Sequence, residues 1–542
     1  MRSAALQALL LLFGTTASGL AQARPVSADA YDLVITGGRI VDGTGAPGRL
    51  GDIGIRGRWI ARITAPGGLG QAAARDRINA SGLVVAPGFV DVHSHAPEAM
   101  FDTTHKLNEG VVRMGVTTVV GGPDGGASPA LMRTFMGIIG QVGAGTNVAL
   151  YVGHNGIREA VMGAVQRAPT GEELAKMKAM VREGMELGAV GLSSGLMYEP
   201  GMFSTTEEVV ELAKEVTPFH GIYDSHVRDP VKRFLESDRE CIEIGERAGI
   251  APKIAHEKAV SLENAGKIRD VIAMVGAARV RGVNATTDQY PYDGAATALL
   301  PEIVVVPKAM AEAPGFDLKA ALRDPTTRAA LKQTSEHGID GGFAWIKATG
   351  YSSMRVTTAP GDPRLVGRYL SQLAAEQKRD AFDVVADLVI GASEAVGITL
   401  GALKEQDLRD LLVQRWNMVA SDGEYSDAKS SGPGHPRSTG TFPRVLGHYV
   451  REAKLLSLEE AVRKMTSLPA DFVGLHDRGR LAEGQAADVV IFNARTVRDR
   501  STWAEPWLSP VGIPHVIVNG VPVLRSGSLT GAAPGTYLRA RQ

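Results

Sequence analysis

Cysteine is nearly absent: the chain of 542 residues has one, Cys241. A lone thiol cannot staple the chain internally, which excludes both a disulfide framework and a Cys-rich zinc module. Neither sign of charge is in excess, with 58 Lys+Arg against 59 Asp+Glu. The basic footprint that nucleic acid or anionic lipid requires is therefore missing. Aromatic residues are sparse at 5%. Long apolar runs are also missing, apart from one at the start of the chain. There Arg2 precedes an apolar stretch from Ala4 to Gly14, interrupted by Gln7, and Ala21-Gln22-Ala23 stands before Arg24. A charged start, a short apolar core and a small-x-small site describe a secretory leader over 1–23, cut after Ala23. The run is too short to span a membrane comfortably. These features predict an exported protein, periplasmic or secreted, with no nucleic-acid partner and no stable membrane anchor. Its oligomeric state stays open.

Glycine is abundant, 64 residues within an ordinary globular balance of 44% hydrophobic and 22% charged. At both ends of the chain, short strands separated by Gly-rich turns predict an antiparallel sheet. They are Tyr31 to Thr36, Arg39 to Asp42, Asp52 to Arg56 and Trp59 to Ile63, then Asp488 to Phe492, His515 to Gly520 and Val521 to Leu524. Between them, apolar strand-like runs alternate with helical stretches. The runs are Val84–Val92, Thr117–Val120, Asn147–Val152, Gly188–Leu192, Gly221–Asp224, Lys253–His256, Asn284–Tyr290 and Asn417–Ser421. Eight such runs predict a (β/α)8 barrel, about 250 residues plus insertions. The expected organisation is a barrel over 85–476 with an insertion at about 294–350. A small β-domain would be made from both chain ends, 24–84 and 477–542.

Candidate chemistry gathers where the barrel runs end. The first closes in Asp91-Val92-His93-Ser94-His95, and alternation along a strand points His93 and His95 the same way, so both imidazoles can share one metal. His226 and His256 end two later runs, and Asp422 ends the last, in Ala420-Ser421-Asp422-Gly423. The C-terminal mouth is where barrel enzymes keep their active sites, and four His with an Asp there compose a hydrolytic metal site.

The order His-x-His, His, His, Asp resembles the amidohydrolase superfamily. Finer motifs resemble its N-acyl-D-amino-acid deacylase (D-aminoacylase) branch. They include Gly195-Leu-Met-Tyr198-Glu-Pro-Gly201, Ser225-His226-Val-Arg228-Asp229, Asp288-Gln-Tyr-Pro-Tyr292, His435-Pro-Arg437 and Gly440 to Tyr449. The likeness runs from about 31 to 525. It implies a distorted TIM barrel with a small β-sandwich domain, and one or two zinc ions. By the same resemblance His93, His95 and Asp422 hold one subsite, and His226 and His256 belong to the other. Family members usually end the second strand in Gly-Asn-Cys-Gly, with the Cys as a ligand. Here Asp124 sits in the Cys place, within Gly121-Gly-Pro-Asp124-Gly125, and a carboxylate is a harder zinc ligand able to bridge two ions. No Lys ends the Gly188–Leu192 run, so no carboxylated-lysine bridge is expected there.

Zinc lowers the pKa of its water towards ~7 and polarises an amide carbonyl. Asp422 is the expected general base and then acid. The resemblance implies a small carboxylate-bearing amide as substrate, hydrolysed to a carboxylate and a free D-amino acid. Arg437, Lys258 and Tyr198 match the positions of a carboxylate clamp. Arg228 either joins them or braces the barrel. His154 either touches substrate or packs. The rival readings are a dipeptidase or amidase on D-residue-containing peptides or other carboxylate-bearing amides, and a non-catalytic scaffold of the superfamily. Loss of ligands marks the scaffolds, whereas His93, His95, His226, His256 and Asp422 are all present here.

Overall fold

The computed structural model describes residues 30–339 and 344–540; the leader expected over 1–23 lies outside them. Val84 to Val92 reads as one apolar run, yet Gly88 divides it into two strands that enter different sheets. A Cβ on Gly88 would press into the Thr117 side chain, so only glycine lets the chain pass there. Before it, β5 (Val84–Pro87) joins β1 (Tyr31–Ile40), β2 (Arg49–Arg56), β3 (Trp59–Thr64) and β4 (Ala74–Asn79). From the far end of the chain come β18 (Val489–Phe492), β19 (His515–Val518), β20 (Val521–Arg525) and β21 (Ser528–Leu529). Together they form one nine-stranded sheet in the order β21-β20-β19-β18-β5-β1-β2-β3, with β4 also paired to β1. The two chain ends meet at the antiparallel seam Val84–Pro87 against Val489–Phe492. Alternation explains why β18 is wholly buried. Val489 and Ile491 face a core of Leu33, Ile53, Ile78 and Val85, while Val490 and Phe492 join the main core on the other face.

After Gly88 comes the barrel. Its strands are β6 (Phe89–Asp91), β7 (Val116–Gly121), β8 (Asn147–Leu150) with β9 (Val152–Gly153), β10 (Gly191–Gly195), β11 (Ile222–His226), β12 (Ala251–Ile254), β13 (Thr286–Gln289) and β17 (Asn417–Val419). Neighbours pair in parallel, and hydrogen bonds return from the end of the series to its start. The Asp422 N–H donates to the His93 carbonyl and the His95 N–H to the Gly423 carbonyl, each at 2.9 Å, beside a parallel bridge from Ser94 to Gly423. The fourth strand begins at Gly191 rather than Gly188, because Gly188 turns the chain at φ +93°. Helices cover the outside. In Gly171–Glu186, Thr170 and Glu173 cap each other reciprocally, and Met177, Val181 and Met185 lie four apart on the buried stripe. No helix among the described residues is long and apolar enough to cross a membrane.

Between the seventh and eighth strands the chain leaves the barrel. There β14 (Gly294–Leu299), β15 (Arg355–Thr358) and β16 (Gly397–Ala402) make a three-stranded sheet in the order β14-β16-β15. It packs a separate core that includes Leu300, Leu331, Leu370, Phe382 and Ile398. The inserted unit therefore runs from Gly294 to Ala402, well past 350. Its second half was hidden in the sequence because its helices are short and β16 looks like any apolar run.

Candidate metal centre

Each candidate ligand sits at or just beyond the C-terminal end of a barrel strand. His93 and His95 follow β6, Asp124 follows β7, His226 ends β11, His256 follows β12 and Asp422 follows β17. Three of them have left-handed backbone, at φ 55° for Asp124, 37° for His256 and 50° for Asp422. A non-glycine residue held there costs of order 1 kcal/mol or more, and such strain clusters at functional sites.

Asp124 stands at the middle of the group. Its Oδ1 lies 3.5 Å from His93 Nε2 and 3.6 Å from His256 Nε2; its Oδ2 lies 3.6 Å from His95 Nε2 and 3.7 Å from His226 Nδ1. On the other side, Asp422 Oδ1 is 3.5 Å from His93 Nε2 and 3.4 Å from His95 Nε2. These spacings are too long for good hydrogen bonds. Ligand bonds of ~2.0–2.2 Å to a shared tetrahedral ion separate donor atoms by about 3.3–3.6 Å. His93 Nε2, Asp124 Oδ1 and His226 Nε2 are buried without a hydrogen-bond partner, which a buried polar atom does not tolerate without a compensating interaction. The donor set and its orphaned atoms therefore fit a metal ion. The sets brought close enough to share an ion include His93, His95 and Asp124; His93, His256 and Asp422; and Asp124, His226 and His256.

The charge states suit a cation. Burial opposes ionisation of Asp124, but His93, His226 and His256 around it hold its carboxyl well below the usual carboxylate range. Asp422 is likewise buried, and Arg437 and His256 hold it well below that range. Burial, helped by the Lys258 ammonium, pushes His256 down to about 3, so its imidazole is neutral with a lone pair to give.

A cleft of about 740 Å³ opens over the cluster, and Tyr198, Lys258 and Arg437 line it with His95, Asp124 and Asp422. The Arg437 guanidinium pairs with Asp422 Oδ2 through Nη1, while its buried Nε has no partner. Lys258 Nζ donates to the His256 carbonyl at 2.7 Å and lies 2.8 Å from His256 Nδ1, and burial pulls its pKa down to about 8. Both cations sit over the Tyr290 ring, at 5.3 Å for Lys258 and 4.9 Å for Arg437. Tyr198 Oη is 3.2 Å from His226 Nδ1.

Two expected substrate contacts lie elsewhere. Arg228 is held by Glu240 at 2.8 Å and braces the helix Phe234–Ala248. His154 is buried against Glu208, 3.0 Å away, beside Arg158. Neither lines the cleft. Cys241 is buried, with its thiol against the Lys253 carbonyl.

Residues not singled out from the sequence support the site from below. Inside the barrel Lys253 pairs with Asp224 at 2.9 Å and with Asp288. Asp288 accepts the His256 N–H, Asp224 Oδ2 is 3.6 Å from His93 Nδ1, and Asp91 accepts from the Ser421 N–H and hydroxyl. The signal was available: Asp224 is two residues before His226 on its strand, hence on the same face.

A profile of the amidohydrolase family matches residues 263–524. The chain is 34% identical over 533 residues to a D-aminoacylase of Alcaligenes xylosoxydans xylosoxydans, covering 94% of this chain and 97% of that protein. It is 35% identical over 532 residues to an N-acyl-D-glutamate deacylase of the same organism, with the same coverage. Among solved structures, an N-acyl-D-glutamate deacylase from Bordetella bronchiseptica superposes with a TM-score of 0.74 at 33% identity, covering 94% of this chain and all of that one. That crystal contains zinc and a phosphonate inhibitor, a mimic of the tetrahedral intermediate of the reaction.

Proposed function

The chain belongs to the D-aminoacylase family of amidohydrolases, and on that premise we propose that it hydrolyses the amide bond of N-acyl-D-amino acids with zinc held by the cluster around Asp124. The observation that carries this reading is the carboxylate of Asp124 among four imidazole nitrogens, 3.5–3.7 Å from each. When bound, zinc supplies a water of lowered pKa and polarises the amide carbonyl.

The chain's own residues do the rest. Asp422 is ionised and faces the ligand cluster with Oδ1, so it takes the proton of the attacking water and delivers it to the leaving amine nitrogen. Arg437 holds the other Asp422 oxygen, which keeps Oδ1 aimed at the reacting atoms. Lys258 and the Arg437 guanidinium, both lining the cleft, bind the α-carboxylate, and Tyr290 beneath both keeps the pair in place. Tyr198 offers its hydroxyl at the rim. The products are a carboxylate and a free D-amino acid.

The test pairs N-acetyl-D- and N-acetyl-L-amino acids against the zinc-loaded protein. Turnover of the D series with bound zinc supports the reading; no metal and no turnover overturns it. Asp422→Asn keeps bound zinc and loses several orders of magnitude in kcat, as removal of a proton acceptor does. Full activity in that variant would remove Asp422 from the proton-transfer role.

A further inference from the structure

Beside the cleft lies a second hollow, of about 290 Å³, whose wall is apolar: Pro97, Phe101, Leu131, Met132, Phe135 and Leu150. Glu98 is its one charged neighbour among the described lining residues. Phe101 and Phe135 meet edge to face at 5.5 Å, yet Phe101 stays 39% and Leu131 41% exposed at its border. Glu98 and Gly126 line both spaces, so the hollow adjoins the cleft. At the junction, a Cβ added to Gly126 would find one atom within 4 Å, the Pro123 carbonyl oxygen at 3.9 Å. Glycine there leaves open space between the two that a larger side chain would fill.

The position of the hollow says what could enter it. Lys258 follows β12, Arg437 follows β17 and bonds the Ala295 carbonyl after β13. The hollow is built from residues after β6 and β7 and the last residue of β8, and the lining of the cleft runs from Lys258 and Arg437 past Asp124 to Glu98 and Gly126 at its edge. An N-acyl-amino acid carries its carboxylate on the amine side of the scissile bond and its acyl chain on the carbonyl side. With the carboxylate on Lys258 and Arg437 and the amide at the cluster, the acyl chain leaves towards the hollow.

We propose that this hollow binds the acyl chain of the substrate, so that the enzyme favours medium-chain N-acyl-D-amino acids over N-acetyl compounds. The inference rests on the reading of the cleft given above. At about 30 Å³ per water-sized group the space takes a chain of on the order of ten carbons. Each methylene it buries raises kcat/KM up to about fourfold.

The experiment measures kcat/KM of the zinc-loaded enzyme on N-acetyl, N-butanoyl, N-hexanoyl and N-octanoyl derivatives of one D-amino acid. A rise of tenfold or more from acetyl to octanoyl is expected. Leu131→Glu places a charge on the wall at the third position of the helix Pro129–Val142, where the Ser128 cap accepts a glutamate well. It should return the octanoyl value to near the acetyl value while N-acetyl turnover is unchanged. Gly126→Leu should suppress octanoyl turnover more than acetyl. A flat or falling series with N-acetyl turnover intact overturns the proposal alone and leaves the hollow to another occupant, such as a protein segment. Equal effects of Leu131→Glu on both substrates also overturn it. No turnover at any chain length overturns the reading of the cleft together with this one.

Discussion

Asp124 stands within 3.7 Å of imidazole nitrogens from four histidines, so removing its carboxylate takes a candidate ligand from every one of them. Asp124→Ala should lose at least one zinc per chain by metal analysis and at least about 100-fold in kcat/KM; full metal content would show that the histidines suffice. Lys258 makes the second expectation at this scale. Burial lowers its pKa to about 8, so it is a cation below that pH and neutral above it. KM for a carboxylate substrate should rise as pH passes upward through about 8, and Lys258→Met should remove that limb of the profile. A KM rise that persists in the variant would assign it to another group. At this scale the sequence was informative where a His or Asp ended an apolar run. It was uninformative where a charge sat inside one. Lys253 and Asp288 gain a meaning only when neighbouring strands bring them together inside the barrel with Asp224. Arg228 and His154 could not be separated from clamp residues because the partners that hold them, Glu240 and Glu208, lie 12 and 54 positions away.

Among the elements, the loop after β7 positions Asp124 from beneath. Ser193 Oγ accepts the Gly125 N–H at 3.1 Å and donates to the Gly122 carbonyl at 2.8 Å. Gly153 of β9 donates its N–H to the Ala127 carbonyl at 2.7 Å. A Cβ on Gly153 would press into the backbone of Gly125 and Ala127, which cannot swing aside as a side chain can. Gly153→Ala should therefore lower zinc affinity and cost about 1–3 kcal/mol of stability by overpacking, read by zinc titration and denaturant unfolding. Unchanged affinity would mean the loop tolerates the shift. The strands and their order were legible because each barrel strand is a short apolar run closed by glycine or a polar residue. The split at Gly88 was not, since a glycine inside a run says nothing of which sheet lies on either side.

For the whole molecule, candidate ligands from five strands mean that an ion held there would tie together elements far apart in the chain. A ligand that binds only the folded state stabilises it by about 2.7 kcal/mol at 100 times its Kd. The thermal midpoint should rise with added zinc and fall with a chelator. Insensitivity to both would show that no ion links these strands. The satellite sheet was legible at both ends of the chain; the extent of the inserted unit was not, because its core is assembled from segments with weak periodicity. The seam between β5 and β18 has a consequence in time. Its partners lie about four hundred residues apart in the chain. A ribosome adding ~5–20 residues per second leaves the β5 edge bare for on the order of 20 s or longer. An unpaired strand edge is a template for pairing with other chains. Every nascent copy therefore passes through a window in which its first-made sheet must be shielded, and any truncation before Val489 makes that window permanent.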